Sequence, residues 1–262
     1  MDNKEINNQR PGISLDRYDA AILDMDGVIT NSARAHAAAW KKMFDEYLQG
    51  LNQKDSHEPE PFDPVDDYFR YVDGKPRYEG TKSFLESRQI TLPRGSPDDP
   101  PDRETVCGLG NRKNRYFLKH LKKNGVDYYQ GAVDLVKVVK DKGIKVAVIS
   151  SSRNAKTVLD AAGIRSLFPV IIDGVYMAEK GLKGKPAPDI FLEAAKRLDT
   201  SPDRAMVFED AASGVKAAKA GGFALVVGID RTGKNRDLKK SGADMIVRNL
   251  SEIRRQIDES ER

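Results

Sequence analysis

The sequence is short of cysteine, of long apolar runs and of any large excess of one charge, and each shortage removes a class of protein. With one cysteine, Cys107, in 262 residues, no internal disulfide framework can form. Only three histidines, His36, His57 and His120, accompany that thiol, so a zinc site is not expected. No apolar run reaches the roughly 20 residues that span a bilayer, so no membrane partner is expected. The start, Met1 to Arg10, lacks the basic, apolar and small-residue order of a signal peptide; a loose tail over 1–17 and a cytoplasmic protein are expected. The 44 basic residues are interspersed with 40 acidic ones, leaving +4. Such a surface is solvated rather than built for nucleic acid, and no nucleic-acid role is expected. There is no internal repeat or low-complexity tract.

What is present suffices for a large domain, or a core with a smaller second domain, since 39% of residues are hydrophobic. From Gly131 onward short apolar strands alternate with amphipathic helices. Strands are expected at Lys145–Ile149, Pro169–Ile172, Ala205–Phe208, Ala224–Val227 and Met245–Val247, with Tyr18–Leu23 joining them. Helices are expected at Ala132–Lys142, Asn154–Ala162, Asp189–Leu198, Ala212–Ala220 and Lys234–Lys240. This alternation predicts an α/β fold, a doubly wound parallel sheet covered by helices on both faces. Between Thr30 and Gln130 strand-like runs are almost absent. Helices near Arg34–Leu48, Pro64–Tyr71, Pro76–Ser87 and Glu104–Asn124 read as an inserted helical domain over 32–130, the core being 18–31 and 131–262. Leu51–Pro64 and the Pro-rich Thr91–Arg103 read as surface loops.

The run Ala20-Ala21-Ile22-Leu23-Asp24-Met25-Asp26-Gly27 delivers two carboxylates, spaced i and i+2, from an apolar strand into a glycine turn. Side-chain alternation puts both on one side, at the sheet edge where parallel sheets bind ligands. Such a pair suits a nucleophile and a general acid/base around a hard cation such as Mg²⁺. Three later strand ends answer it. Ser150-Ser151-Ser152-Arg153-Asn154 offers a hydroxyl and backbone N–H groups to phosphoryl oxygens, and Lys185, in Gly184-Lys185-Pro186, can neutralise developing negative charge. Glu209 and Asp210 add carboxylates for a metal. Singly, these read as a helix N-cap, a solvated lysine and an N-terminal charge; together and in order they specify phosphoryl transfer through an aspartyl phosphate.

The four motifs resemble, in order, those of the haloacid dehalogenase superfamily, over about Tyr18 to Leu250. The resemblance implies Asp24 as nucleophile, Asp26 as general acid/base, and catalytic Ser150 and Lys185. It also implies Mg²⁺ held by Asp24, the Asp26 carbonyl and Asp210, with Glu209 alongside in the acidic motif.

The position of the insert resembles the helical cap of the β-phosphoglucomutase-like subfamily. The run through Ser32 and His36 to Trp40 is similar to that subfamily's pattern, which implies that His36 aligns or protonates Asp26. Asp73-Gly74-Lys75-Pro76-Arg77 resembles its substrate-specificity loop, with Arg77 gripping the phosphate that is not transferred. Lys113 and Asn114 resemble residues reaching the sugar and hinge, and Ser152, Arg153 and Asn154 the loop meeting the distal phosphate. Asn31 stands where the subfamily often has aspartate, and the cap is longer than usual at 51–64 and 91–103. A monomer is expected, and the resemblance implies an enzyme acting on a small-molecule sugar phosphate. It would interconvert β-glucose 1-phosphate and glucose 6-phosphate, with glucose 1,6-bisphosphate as activator and intermediate. The alternative is a Mg²⁺-dependent sugar-phosphate phosphatase.

Overall fold

The computed structural model describes residues 13–52, 60–73, 75–231, 233 and 237–260. Six strands form one sheet: β1 (Ala20–Asp24), β2 (Lys145–Ile149), β3 (Val170–Ile172), β4 (Ala205–Glu209), β5 (Leu225–Ile229) and β6 (Met245–Val247). All pairings are parallel and the order is β3-β2-β1-β4-β5-β6. The chain therefore winds outward from β1 to one edge, then returns to β4 and winds to the other. Loops leaving β1 and β4 diverge and open a crevice at the carboxyl edge of the sheet.

Strand β1 is buried on both faces, and its alternation sorts it between two cores. Ala21 and Leu23 join one apolar cluster, Ala20 and Ile22 the other. The covering helices of the core are α4 (Gln130–Asp141), α5 (Ala155–Ala161), α6 (Gly174–Lys180), α7 (Asp189–Arg197), α8 (Ala212–Ala220), α9 (Asp237–Lys240) and α10 (Ser251–Ser260).

Between β1 and α4 stands the helical insert, built on α1 (Ala33–Asn52), α2 (Arg77–Ser87) and α3 (Val106–Asn124). It has its own aromatic core. Phe44 lies 4.0 Å, centroid to centroid, from Phe84, and Phe62 packs against both rings. The two chain passages joining insert and core run side by side. Asn31 N donates to the Asp127 carbonyl and Tyr129 N to the Ile29 carbonyl, each at 2.8 Å.

Several boundaries differ from the sequence reading. Residues 13–17, grouped there with the tail, belong to the core: Ile13 and Leu15 are buried in its apolar cluster, and Leu15–Arg17 form a 3-10 turn. The helix expected at Pro64–Tyr71 is a π-helical turn over Tyr68–Val72. Helices α6 and α10 were not expected. Helix α6 starts because the Asp173 side chain accepts from Val175 N and Tyr176 N; half of α10 is charged, and it buries Ile253 and Ile257 at i,i+4 spacing. The helix expected from Lys234 is described from Asp237, and residues 234–236 lie outside the described residues. The segment 91–103 is irregular, as expected.

Candidate active site

Register alone gathers the acidic groups. Asp24 closes β1 opposite Ile149, so Ser150 follows on one side, while Leu23 opposite Phe208 sets Glu209 and Asp210 on the other. Both strands beside β1 thus contribute to one point on the carboxyl edge.

Lys185, from the turn before α7, enters this point. Its Nζ donates to Asp24 Oδ1 at 2.5 Å and to both Glu209 oxygens at 3.1 Å. The three side chains are nearly inaccessible, 11%, 9% and 1% exposed for Lys185, Asp24 and Glu209. Burial would lower the lysine's pKa, yet the Asp24 and Glu209 carboxylates outweigh it and hold the ammonium charged. One lysine does not balance the acids around it. Burial, and then Asp24, pushes Glu209 and Asp210 toward their protonated forms. Asp26 is pushed up to about 6 by burial first and Asp24 second, against the opposing pull of hydrogen bonds from Ser32 and Ser150 and of the Lys185 charge.

Oxygen atoms of Asp24, Glu209 and Asp210 lie within 4.8 Å of one another. Hard carboxylate oxygens and an excess of negative charge are what a divalent cation such as Mg²⁺ needs, and the residues fit it. Because Glu209 gives both oxygens to Lys185, Asp24 and Asp210 are the carboxylates better placed to face a cation. Gly27 makes room for Asp210: its φ of +76° suits glycine, and a Cβ there would run into the Asp210 carboxylate.

Around Asp26 the hydroxyls are close. Ser32 Oγ donates to Asp26 Oδ1, and Ser150 Oγ donates to Oδ2 at 3.3 Å while accepting from Ser152 N at 3.0 Å. His36 is placed differently from the sequence expectation. Its Nδ1 lies 2.7 Å from Lys113 Nζ and its ring stacks on Phe117, so its partner is the lysine rather than Asp26. The Lys113 ammonium also sits over the rings of Trp40 and Phe117, at 4.7 and 5.0 Å. Trp40 is buried in the cap core, stacked on Phe44, and serves Lys113 as a wall.

Of the specificity-loop residues, Arg77 joins the site and Lys75 does not. Arg77 Nη2 donates to Asn114 Oδ1 at 2.9 Å, and the same oxygen accepts from Asn154 Nδ2 at 2.7 Å, so an arginine of the cap and an asparagine of the core meet on one amide. Burial lowers the Arg77 pKa, and the charge of exposed Arg153 lowers it further. Ser152 Oγ accepts from Asn154 N at 3.1 Å and shapes that loop. Lys75 is exposed and donates to Ser83 Oγ at 2.7 Å, because it follows the turn out of the π-helical segment on the solvent side. Gly74 lies outside the described residues.

Three residues of the site were not singled out from sequence. Tyr68 of the cap has its phenol pKa raised by burial first and then by Asp73, Asp26 and Asp210, so it faces the acidic centre. Arg231, after β5, donates from Nε to the Gly27 carbonyl at 2.8 Å and from Nη2 to the Val28 carbonyl at 3.1 Å, with its guanidinium 3.3 Å from the Tyr129 ring centroid. Asn111, one turn before Asn114, also accepts from Arg77. A signal for Asn111 lay in its i,i+3 spacing to Asn114 on α3.

Comparison with known proteins agrees with this geometry. The family model of haloacid dehalogenase-like hydrolases matches residues 18–222. A β-phosphoglucomutase of Mycobacterium bovis is 48% identical over 237 residues, covering 89% of this chain and 90% of that protein. One from Bacillus subtilis is 34% identical, covering 89% and 91%. A solved β-phosphoglucomutase from Clostridium difficile superposes with a TM-score of 0.71 at 27% identity, covering 92% of this chain and 98% of that one. Fold, strand-end motifs and relatives agree: the chain is an enzyme belonging to the haloacid dehalogenase superfamily, in its β-phosphoglucomutase-like subfamily.

Proposed function

We propose that the chain is a Mg²⁺-dependent phosphomutase interconverting β-glucose 1-phosphate and glucose 6-phosphate through glucose 1,6-bisphosphate. It acts as a cytoplasmic monomer on a small-molecule substrate. The observation carrying this reading is the second cationic centre. Besides Lys185 at Asp24, Arg77 is held by Asn114, which is itself bonded to Asn154 of the core. A phosphatase needs one phosphoryl site and water; a mutase must hold a bisphosphate at both ends and exclude water from the phosphoenzyme.

Asp24 Oδ attacks phosphorus in line, forming the aspartyl phosphate as the bond from phosphorus to the sugar oxygen breaks. Asp26 gives its proton to that leaving oxygen and takes one from the acceptor hydroxyl on the return transfer. Its orientation is fixed by Ser32 and Ser150. Lys185 screens the repulsion between the Asp24 carboxylate and the incoming phosphoryl oxygens. Asp24, Asp210 and the Asp26 carbonyl would hold Mg²⁺, which when bound supplies charge neutralisation at the phosphoryl oxygens. Arg77 and Arg153 meet the other phosphate, for which a planar guanidinium is suited.

The test supplies β-glucose 1-phosphate, Mg²⁺ and a trace of glucose 1,6-bisphosphate, and assays glucose 6-phosphate and free phosphate separately. Glucose 6-phosphate without matching phosphate is expected. Phosphate release without glucose 6-phosphate overturns the mutase reading in favour of the phosphatase.

A further inference from the structure

The segment 91–103 is tied to α3 by hydrogen bonds to its backbone, although most of its residues stay exposed. Its carboxylate Asp99 is buried, accepting from Thr105 Oγ1 at 2.6 Å, Arg103 Nη1 at 3.0 Å and Ser96 N at 3.1 Å. Those three bonds fold the segment back on itself. Val106 N and Cys107 N then donate to the Pro93 and Arg94 carbonyls at 3.0 Å, and Arg112 Nε donates to the Pro101 carbonyl at 2.7 Å. Gly108 allows the close approach, since a Cβ there would collide with the Arg103 carbonyl. Four prolines, 93, 97, 100 and 101, restrict the backbone further.

The product of this folding is two main-chain carbonyls aimed at one side chain. Asn111 Nδ2 donates to the Pro97 and Asp99 carbonyls, each at 2.9 Å. With both N–H groups engaged, the amide cannot turn over without setting its oxygen against two carbonyl oxygens. Its Oδ1 is thereby fixed on the opposite side. There it accepts from Tyr78 Oη at 3.0 Å and from Arg77 Nη1 at 3.4 Å. Asn111 and Asn114 are three residues apart on one face of α3, so their two oxygens take the two terminal nitrogens of Arg77.

The chemistry of these partners matters. Arg77 is oriented by two neutral amides, and a carboxylate in either place would have partly neutralised the guanidinium and competed with a phosphate for it. Neutral acceptors fix its direction and leave its charge for an anion.

We propose that Asn111, braced by the Pro97 and Asp99 carbonyls, is a positioning residue that aims Arg77 at the phosphate not undergoing transfer, and that segment 91–103 serves as the brace. This rests on the reading of Arg77 as the grip on that phosphate.

The experiment is a double-mutant cycle on KM with glucose 1,6-bisphosphate as phosphoryl donor, using Asn111→Ala, Arg77→Ala and the double variant. Hydrolysis of acetyl phosphate, which carries no second phosphate, is measured on the same proteins. Asn111→Ala is expected to raise KM for the bisphosphate by about tenfold to a hundredfold, the range for one lost hydrogen bond to a charged group. Any loss in acetyl phosphate hydrolysis should be clearly smaller than the loss on the bisphosphate, and in the Arg77→Ala background Asn111→Ala should add nothing. Asn111→Asp, which keeps the side chain's shape but cannot donate to the Pro97 and Asp99 carbonyls, is run through the same cycle and carries it if Asn111→Ala does not fold. Equal effects of Asn111→Ala with and without Arg77, or equal losses on both donors, would overturn the brace. An unchanged KM in Arg77→Ala would overturn the grip and the brace together. The cycle reads how the second phosphate is held and not where the first one goes, so the mutase reading is judged separately, by glucose 6-phosphate against free phosphate.

Discussion

Lys113 Nζ lies 2.7 Å from Nδ1 of His36, a cation set against an imidazole in the seam between α1 and α3. Burial first, and then the charges of Lys113 and Arg77, hold His36 well below its ordinary pKa, so at neutral pH it is an uncharged acceptor. Burial and Arg77 likewise bring Lys113 down to about 7, with Asp26 pulling the other way. An ordinary lysine titrates near 10.4. Side-chain ¹³C NMR should find the Lys113 midpoint near 7, and a midpoint near 10 would contradict this environment. The sign of the stability effect follows. Between about 7 and about 10 the unfolded chain holds a proton that the folded chain has lost, so raising pH across that window stabilises the native state. Measured by thermal unfolding, wild type should gain on Lys113→Met over this window by roughly ten degrees.

Removing Lys185 leaves Asp24, Glu209 and Asp210 crowded without their nearest cation. Lys185→Met is expected to lower kcat for phosphoryl transfer by about 10²–10³, the loss of one preorganised charge at the reacting centre. Adding Glu209→Gln to it should restore folding stability in part, because one uncompensated buried carboxylate is then gone. Steady-state kinetics and urea unfolding on the single and double variants read the two effects.

Arg231 holds the turn after Asp26 through the Gly27 and Val28 carbonyls and covers Tyr129, which is hydrogen-bonded to Ile29 where the insert rejoins the core. Arg231→Ala is therefore expected to lower kcat about tenfold or more while changing KM little, since on the proposed mechanism the turn carries the acid/base group rather than a substrate contact. Lysine should not rescue it, lacking the forked geometry and the flat face. Full activity in Arg231→Lys would sink this assignment.

The cap core is a stability element separate from the chemistry. Phe84 is fully buried among Phe44, Phe62 and Tyr71. Phe84→Ala should cost about 3–5 kcal/mol in urea unfolding of the insert. Phosphorylation of Asp24 by acetyl phosphate should survive better than turnover of a sugar phosphate.

The strand-end motifs were legible because parallel strands convert sequence position into place. Each apolar run ends at the same sheet edge, so Asp24, Ser150 and Glu209 converge whatever lies between them. The strands Lys145–Ile149 and Met245–Val247 and the helix Ala212–Ala220 have the same bounds in sequence and structure, since each is a short periodic run between turn residues. Helix α10 is faint in the sequence because two buried isoleucines among charges are a thin periodic signal. The cap side of the site was harder to read. His36 with Lys113, or Asn111 with the Pro97 carbonyl, depends on how helices pack and how an irregular loop folds back, which no local period encodes. Likewise, the surface loop expected at 91–103 carries no local mark of its contact with Asn111.

The central claim is that the phosphoryl group leaving Asp24 goes to a sugar hydroxyl rather than to water. Its most direct test mixes a catalytic amount of ³²P-labelled glucose 1,6-bisphosphate with unlabelled β-glucose 1-phosphate, Mg²⁺ and the enzyme, with Asp24→Ala as control. The expected result is label passing into hexose phosphates as glucose 6-phosphate accumulates, with inorganic phosphate at the level of the control. Label collecting as inorganic phosphate while glucose 6-phosphate fails to form would contradict it.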